Sequence, residues 1–219
     1  MIYIAYGLAL RQLARALANW NSAAEVTRAQ TYQSESRQQQ HLAGRGLLRK
    51  LVCEVTGAAK EDVHITRQQN GAPQLRIGNE QLACSISHKA DAVLVAFGQA
   101  EQLGVDIEAI AVRKRHDDLI SQFSEGFMDG VEVSDLTTFY QRWTLAEAVT
   151  KARQGKLLAT LKEAFAGYQS AAVFHQEADF MMCCYALRSA QRVAQVRPFQ
   201  WYRLEPDNGG MLAAQHHAQ

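Results

Sequence analysis

Three strand-like segments stand close together in the middle of this chain, and they limit its fold more than any other feature. Leu82 to His88, Ala92 to Phe97 and Gly104 to Ile107 each read as strands, separated only by short turns. Parallel neighbours need crossovers of a dozen residues or more, so this spacing predicts an antiparallel sheet. Met1 to Tyr6 reads as a further strand and Leu8 to Trp20 as an amphipathic helix. The polar stretch Gln30 to Gln40 leads into His41 to Leu51, where Leu42, Leu47, Leu48 and Leu51 recur at helical spacing. Glu61 to Thr66 predicts a strand ended by the turn Asn70-Gly71-Ala72-Pro73. Asp117 to Phe123 and Val133 to Lys151 carry helical patterns, the second weakened by β-branched residues up to Thr138. Leu157 to Ala166 follows Gly155, and Ala171 to Phe174, Phe180 to Leu187 and Val193 to Arg197 read as strands. Helices followed by strands thus occur twice, an α+β order compatible with two related halves, although no sequence repeat is visible. The basic cluster Arg113-Lys114-Arg115-His116 marks the crossing, which divides the chain into 1–112 and 113–219.

At 219 residues, 47% hydrophobic and 21% charged, the chain is long and apolar enough for a substantial globular core. A net charge of +1 implies no bulk attraction to nucleic acid or membranes, while leaving room for local basic patches. Cys53, Cys84, Cys183 and Cys184 suit neither a zinc site nor a disulfide framework, and the adjacent pair would point to opposite faces of a strand. Buried thiols in a reducing compartment are the expectation. Met1 to Leu10 is apolar but too short to span a membrane, and no basic region precedes it, so a cytoplasmic protein is expected. The tail from Pro206 to Gln219 is expected to fray, and its His216 and His217 are too few for a metal site.

The chemistry-bearing stretch is Gly104-Val105-Asp106-Ile107-Glu108. Period-two alternation sends Asp106 and Glu108 to the same face of a strand. In Trp143 to Lys151, Glu147 and Lys151 lie one helical turn apart. Three carboxylates and a lysine could hold a hard divalent cation and a phosphate, because magnesium takes oxygen ligands and keeps substrate phosphates in its shell. The competing reading is a solvated sheet face and a surface ion pair of small energy. Arg37, Arg45 and Arg49 share a helix face, either solvated or anion-binding, and Ser87 and His88 sit at a strand end.

The order of motifs decides between these readings. His41-Leu42-Ala43-Gly44-Arg45, Gly71-Ala72-Pro73, Ser85-Ile86-Ser87-His88, Gly104 to Glu108 and Trp143 to Lys151 together resemble the Sfp-like 4′-phosphopantetheinyl transferases. The resemblance spans residues 37 to 155. It implies a pseudo-dimer of two similar α+β halves, each a mainly antiparallel sheet packed on helices, with coenzyme A and magnesium in the cleft between them. It also implies transfer of phosphopantetheine to a serine of an acyl or peptidyl carrier protein, releasing 3′,5′-ADP, by a monomer. Carried over, Asp106, Glu108 and Glu147 resemble the magnesium ligands, and Lys151 the lysine beside the diphosphate. Ser87, His88 and Arg45 resemble the coenzyme contacts, with Arg37 a weaker match. Glu147 is either the base or a ligand, and Asp106 and Lys151 complete the catalytic set.

Three positions depart from the family pattern. Ala146 and Ala72 stand where lysines are usual, and Lys89 stands where a serine commonly follows the histidine. Lys89 is expected to offset part of the lost positive charge. Glu125 is near, but not at, the place where relatives carry a glutamate. A competing reading follows: a catalytically weak relative that binds coenzyme A or a carrier without efficient transfer. Carrier proteins are acidic, so Arg113, Lys114 and Arg115 serve either docking or a solvated linker.

Overall fold

A computed structural model describes residues 1–187, 199–205, 207 and 209–214. The strand expected at 193–197 and the residues 206, 208 and 215–219 of the tail, His216 and His217 included, lie outside the described residues.

Strand β1 (Ile2–Leu8) runs two residues further than expected and ends at Ala9, whose φ of 65° breaks the chain before α1 (Leu10–Ala16). A capping box then starts a helix the periodicity did not reveal, α2 (Ala23–Gln30). Ser22 Oγ accepts the Glu25 N–H, and the Glu25 carboxylate accepts the Ser22 N–H. Helix α3 (Glu35–Thr56) takes in part of the polar stretch: Ser34 caps its start and Gly57, at φ 72°, its end. Next come β2 (Val63–Arg67), β3 (Pro73–Ile77), β4 (Glu80–Lys89), β5 (Ala92–Gly98) and β6 (Gln102–Ala109). Helices α4 (His116–Gln122), α5 (Leu136–Arg153) and α6 (Leu157–Thr160) follow, then β7 (Ala172–Glu177), β8 (Phe180–Leu187), β9 (Phe199–Leu204) and β10 (Met211–Ala213). Asp135 caps α5, so Val133 and Ser134 stay outside the helix. No helix among the described residues is long and apolar enough to cross a membrane.

The strands form a seven-stranded sheet, β10-β9-β1-β5-β4-β3-β2, and a three-stranded sheet, β6-β8-β7. All pairs are antiparallel except β1 with β9. A repeat invisible in the sequence appears in this order. In the first half β1, helices, β4 and β5 assemble as β1-β5-β4; in the second, β6, helices, β7 and β8 assemble as β6-β8-β7. Both hairpins turn through Ala-Asp, with Ala90 at φ 48° and Ala178 at φ 49°. The fold is α+β, with antiparallel sheets packed against helices.

Three apolar clusters stack through the molecule. Leu47, Leu48 and Leu51 of α3 cover the outer face of β1 and β5, meeting Ala5, Val93 and Val95. Ile4, Tyr6, Leu94, Val105, Ile107 and Met182 fill the space between the sheets. Leu145, Ala148 and Val149 of α5 meet Met181 and Cys183 on the far side. Cys183 faces α5 while Cys184 faces the inter-sheet core, as alternation along a strand requires. All four thiols are free.

Candidate functional site

Alternation along β6 divides its side chains cleanly. Leu103, Val105 and Ile107 enter the inter-sheet core, so Gly104, Asp106 and Glu108 turn toward α5. Gly104 is there because the helix backbone lies on top of it: a Cβ at this position would stand 1.9 Å from the Ala148 carbonyl oxygen. That close approach carries Lys151, one turn further on, over Asp106. Neither carboxylate is solvated: Asp106 is 4% exposed and Glu108 8%.

The two serines of β4 face β6 across the sheets. Ser85 Oγ accepts the Val105 N–H at 3.1 Å. Ser87 Oγ donates to Asp106 Oδ1 at 2.9 Å and accepts from Lys151 Nζ at 2.8 Å. Lys151 Nζ also donates to Asp106 Oδ1 at 2.6 Å and to the Val105 carbonyl at 3.2 Å. Ser87, Asp106 and Lys151, from three elements, therefore form one cluster. Asp106 Oδ2 is buried with no hydrogen-bond partner among the described residues. An orphaned, buried carboxylate oxygen is the hard kind of donor that a cation such as magnesium takes. Burial pushes the Asp106 carboxyl up, opposed by Lys151. Glu147 is also pushed up, by burial and then by the Asp106 charge.

Glu108 is held differently. Its Oε2 accepts from Lys89 Nζ at 2.7 Å and from Arg113 Nη2 at 2.6 Å. Arg113 is therefore neither solvated linker nor free docking charge. Its Nε donates to the Tyr140 hydroxyl at 3.1 Å, and its guanidinium lies 5.3 Å from the ring centres of both Tyr140 and Trp143. The Tyr140 hydroxyl in turn donates to the Ala111 carbonyl at 2.8 Å, pinning the crossing segment to α5. Lys114 and Arg115 remain exposed. Among the described residues no three acidic, histidine or cysteine side chains stand ready-made around a metal position, because Asp106 Oδ1 and Glu108 Oε2 already hold cations of the chain. The role of Arg113 was missed, although Tyr140, Trp143, Glu147 and Lys151 share one helix face by their spacing.

His88 points away from Ser87, to the face of β4 where Cys84 and Ile86 meet α3. Burial, then the Arg37 charge, lowers its pKa to about 4, so its imidazole is neutral at pH 7. His41 is lowered too, by burial and by Arg45, and its Nε2 is buried without a hydrogen-bond partner among the described residues. The arginines of α3 have separate fates. Arg37 is exposed near His88. Arg45 is buried and donates to the Thr66 carbonyl at 2.9 Å. Arg49 forms a buried two-point ion pair with Glu25, at 2.8 and 3.0 Å.

A cleft of about 770 Å³ opens beside this cluster. The Asn70–Pro73 turn, β4 from Ala83 to Ile86, and the end of α5 with Lys151 and Gln154 line it. Strand β4 pairs with β3 only through Glu80 to Leu82, so beyond that point its free edge borders the cleft. Ala72 is on this wall, whereas Ala146 is fully buried in the core against α5's own half. A lysine at position 72 would face the cleft; one at 146 would have to leave the core. Glu125 is exposed.

Comparison with known proteins finds two similarities. A family model described as 4′-phosphopantetheinyl transferase, N-terminal, matches residues 10–100. The 4′-phosphopantetheinyl transferase HetI of Nostoc sp. (strain PCC 7120 / SAG 25.82 / UTEX 2576) is 27% identical over 149 residues, covering 65% of this chain. The match spans 62% of the length of that relative. With the motif order and the α+β fold, these matches make the chain similar to the 4′-phosphopantetheinyl transferases.

Proposed function

We propose that the protein is an Sfp-like 4′-phosphopantetheinyl transferase. It moves the phosphopantetheine of coenzyme A to a serine of an apo acyl or peptidyl carrier protein, with magnesium, and releases 3′,5′-ADP. The observation that carries this reading is the Ser87–Asp106–Lys151 cluster with its orphaned carboxylate oxygen, whose Lys151 reaches the wall of a cleft lined from both halves.

The serine hydroxyl attacks the β-phosphate, the phosphorus–oxygen bond to the ADP moiety breaks, and the serine proton must leave. Glu147 receives that proton: its carboxyl is already shifted upward, toward the working pH that suits a base. Lys151 and Ser87 donate to the phosphoryl oxygens, where positioning and charge stabilisation do most of the work. His88, neutral in the free protein, and Arg45 contact coenzyme phosphates from the α3 side. Asp106 and Glu108, joined by Glu147 if a metal-bound water rather than Glu147 takes the proton, would hold magnesium, which would offset the charge that builds on the diphosphate.

In this reading 1–112 and 113–219 are two halves of one unit that exchange strands: β6 pairs with β8, and β9 lies beside β1. The protein works as a cytoplasmic monomer. The test is mass spectrometry of apo carrier proteins incubated with the protein, coenzyme A and magnesium. The expected result is a mass gain of one phosphopantetheine, lost in Asp106→Ala. Coenzyme A binding without mass gain on any of several carrier types would overturn transfer in favour of a binding-only relative.

A further inference from the structure

The carboxylates of the site already stand beside cations supplied by the chain itself. Lys151 occupies Asp106 Oδ1, and Lys89 with Arg113 occupies Glu108 Oε2. The two partners of Glu108 are held very differently. Arg113 is fixed by the Tyr140 hydroxyl and two aromatic rings, and its side chain is 29% exposed. Lys89 is the last residue of β4, and its side chain is 42% exposed at the end of a flexible stem.

We propose that Lys89 is an exchangeable counter-ion of Glu108 that makes divalent-cation binding and coenzyme A binding depend on each other. The proposal rests on the transferase reading above and adds a role for a residue at which this chain departs from the family pattern. A divalent cation approaching Glu108 meets a carboxylate already neutralised by two positive groups, so it binds poorly alone. An incoming diphosphate offers Lys89 another anion within reach of its stem, and the ammonium moves to it. Glu108 Oε2 is then held by Arg113 alone, which keeps the carboxylate aimed while its excess negative charge becomes available to the metal. Linkage makes the effect reciprocal: whatever the coenzyme does for the metal, the metal does for the coenzyme. Arg113 cannot exchange in this way, because leaving Glu108 would also break its contact with Tyr140 and its stacking.

Mn²⁺ binding to the full chain, followed by electron paramagnetic resonance with and without coenzyme A, tests this. Metal chelated by free coenzyme A is subtracted from a protein-free titration. The wild type is expected to bind Mn²⁺ roughly tenfold or more tightly with coenzyme A than without, within the usual range of coupled sites. Lys89→Gln is expected to bind Mn²⁺ alone more tightly than the wild type and to lose most of the coenzyme effect. Lys89→Arg, which keeps the charge, retains the coupling. Matching melting curves confirm that the variants are folded. If Lys89→Gln binds Mn²⁺ like the wild type in both states, the exchange is wrong while the transferase reading stands. If the wild type binds no Mn²⁺ even with coenzyme A, the metal assignment falls and the exchange falls with it.

Discussion

Gly104→Ala isolates the contact on which the site depends. The added Cβ would stand 1.9 Å from the Ala148 carbonyl oxygen, 2.8 Å from that carbonyl carbon and 2.9 Å from the Ala152 nitrogen. All three are helix backbone, so no rotamer change relieves them, and α5 or β6 must withdraw by about 1 Å to restore a tolerable contact. Overpacking of this kind costs about 1–3 kcal/mol, and an obstacle made of backbone belongs at the upper end. The same withdrawal opens the 2.6 Å contact between Lys151 and Asp106. A misplacement of ~1 Å at a reacting centre is worth roughly a hundredfold in rate. Urea denaturation measures the first effect, and phosphopantetheine transfer followed by mass spectrometry the second. Because the obstruction is the Ala148 carbonyl rather than its methyl group, Ala148→Gly added to Gly104→Ala should restore neither. A Gly104→Ala protein with wild-type midpoint and rate would refute the close-approach argument. Rescue by Ala148→Gly would show that side-chain volume, not backbone proximity, sets the requirement.

Two further expectations concern protons. Burial and the Asp106 charge hold the Glu147 carboxyl above its ordinary value, so the folded chain binds this proton more tightly than the unfolded chain does. Stability from this group is greatest at low pH and is lost as pH rises through the folded pKa; Glu147→Gln should therefore melt higher than the wild type at pH 7, converge with it near pH 4, and transfer nothing. A variant that melts lower at pH 7 would contradict the sign. His88 behaves oppositely: with a folded pKa of about 4 it stabilises the neutral form, an advantage complete above its ordinary 6.5 and lost as pH falls toward 4. A coenzyme phosphate beside it raises that pKa, so calorimetry near pH 5.5 in buffers of different ionisation heat should show proton uptake on coenzyme A binding, absent in His88→Gln. Equal uptake in both proteins would remove His88 from the phosphate site.

Much of this arrangement was legible from local pattern. Alternation in Gly104 to Glu108 correctly sends both carboxylates one way, and helical spacing correctly puts Glu147 and Lys151 on one face. What alternation cannot say is whether that face is wet, since burial of Asp106 and Glu108 is decided by α5, which packs down from a distant part of the chain. The same limit applies to Arg37, Arg45 and Arg49. Their spacing predicts a shared face, yet Arg49 is neutralised by Glu25 of α2, a helix whose signal was a capping box rather than an apolar period. Ser87 and His88 show a related limit. Adjacent residues in a strand look like one binding pair, but the pleat sends the serine to Asp106 and the histidine to α3, so they can share a ligand only around the strand edge.

The repeated topology explains why there is one such cluster and not two. Counting from the Ala-Asp turns, Asp106 on β6 occupies the place of Ala5 on β1, and Glu108 the place of Gly7. Ser87 on β4 likewise corresponds to His175 on β7. At the first position α3 presents leucines, and Ala5 disappears into the core they form. At the second α5 presents Glu147 and Lys151, and the small-residue requirement moves to Gly104, where the first half has Tyr3. His175 is meanwhile drawn into a contact between the halves, with its Nε2 3.1 Å from the Tyr6 hydroxyl. One half therefore uses the strand–helix junction for stability and the other for charge. A carboxylate cluster is tolerable at the second junction because the first, built on the same plan, is filled by apolar side chains. The polar side also receives cations from both halves: Lys89 from the first hairpin, and Arg113 and Lys151 from the second. The ion pairs of Asp106 and Glu108 therefore draw on both halves.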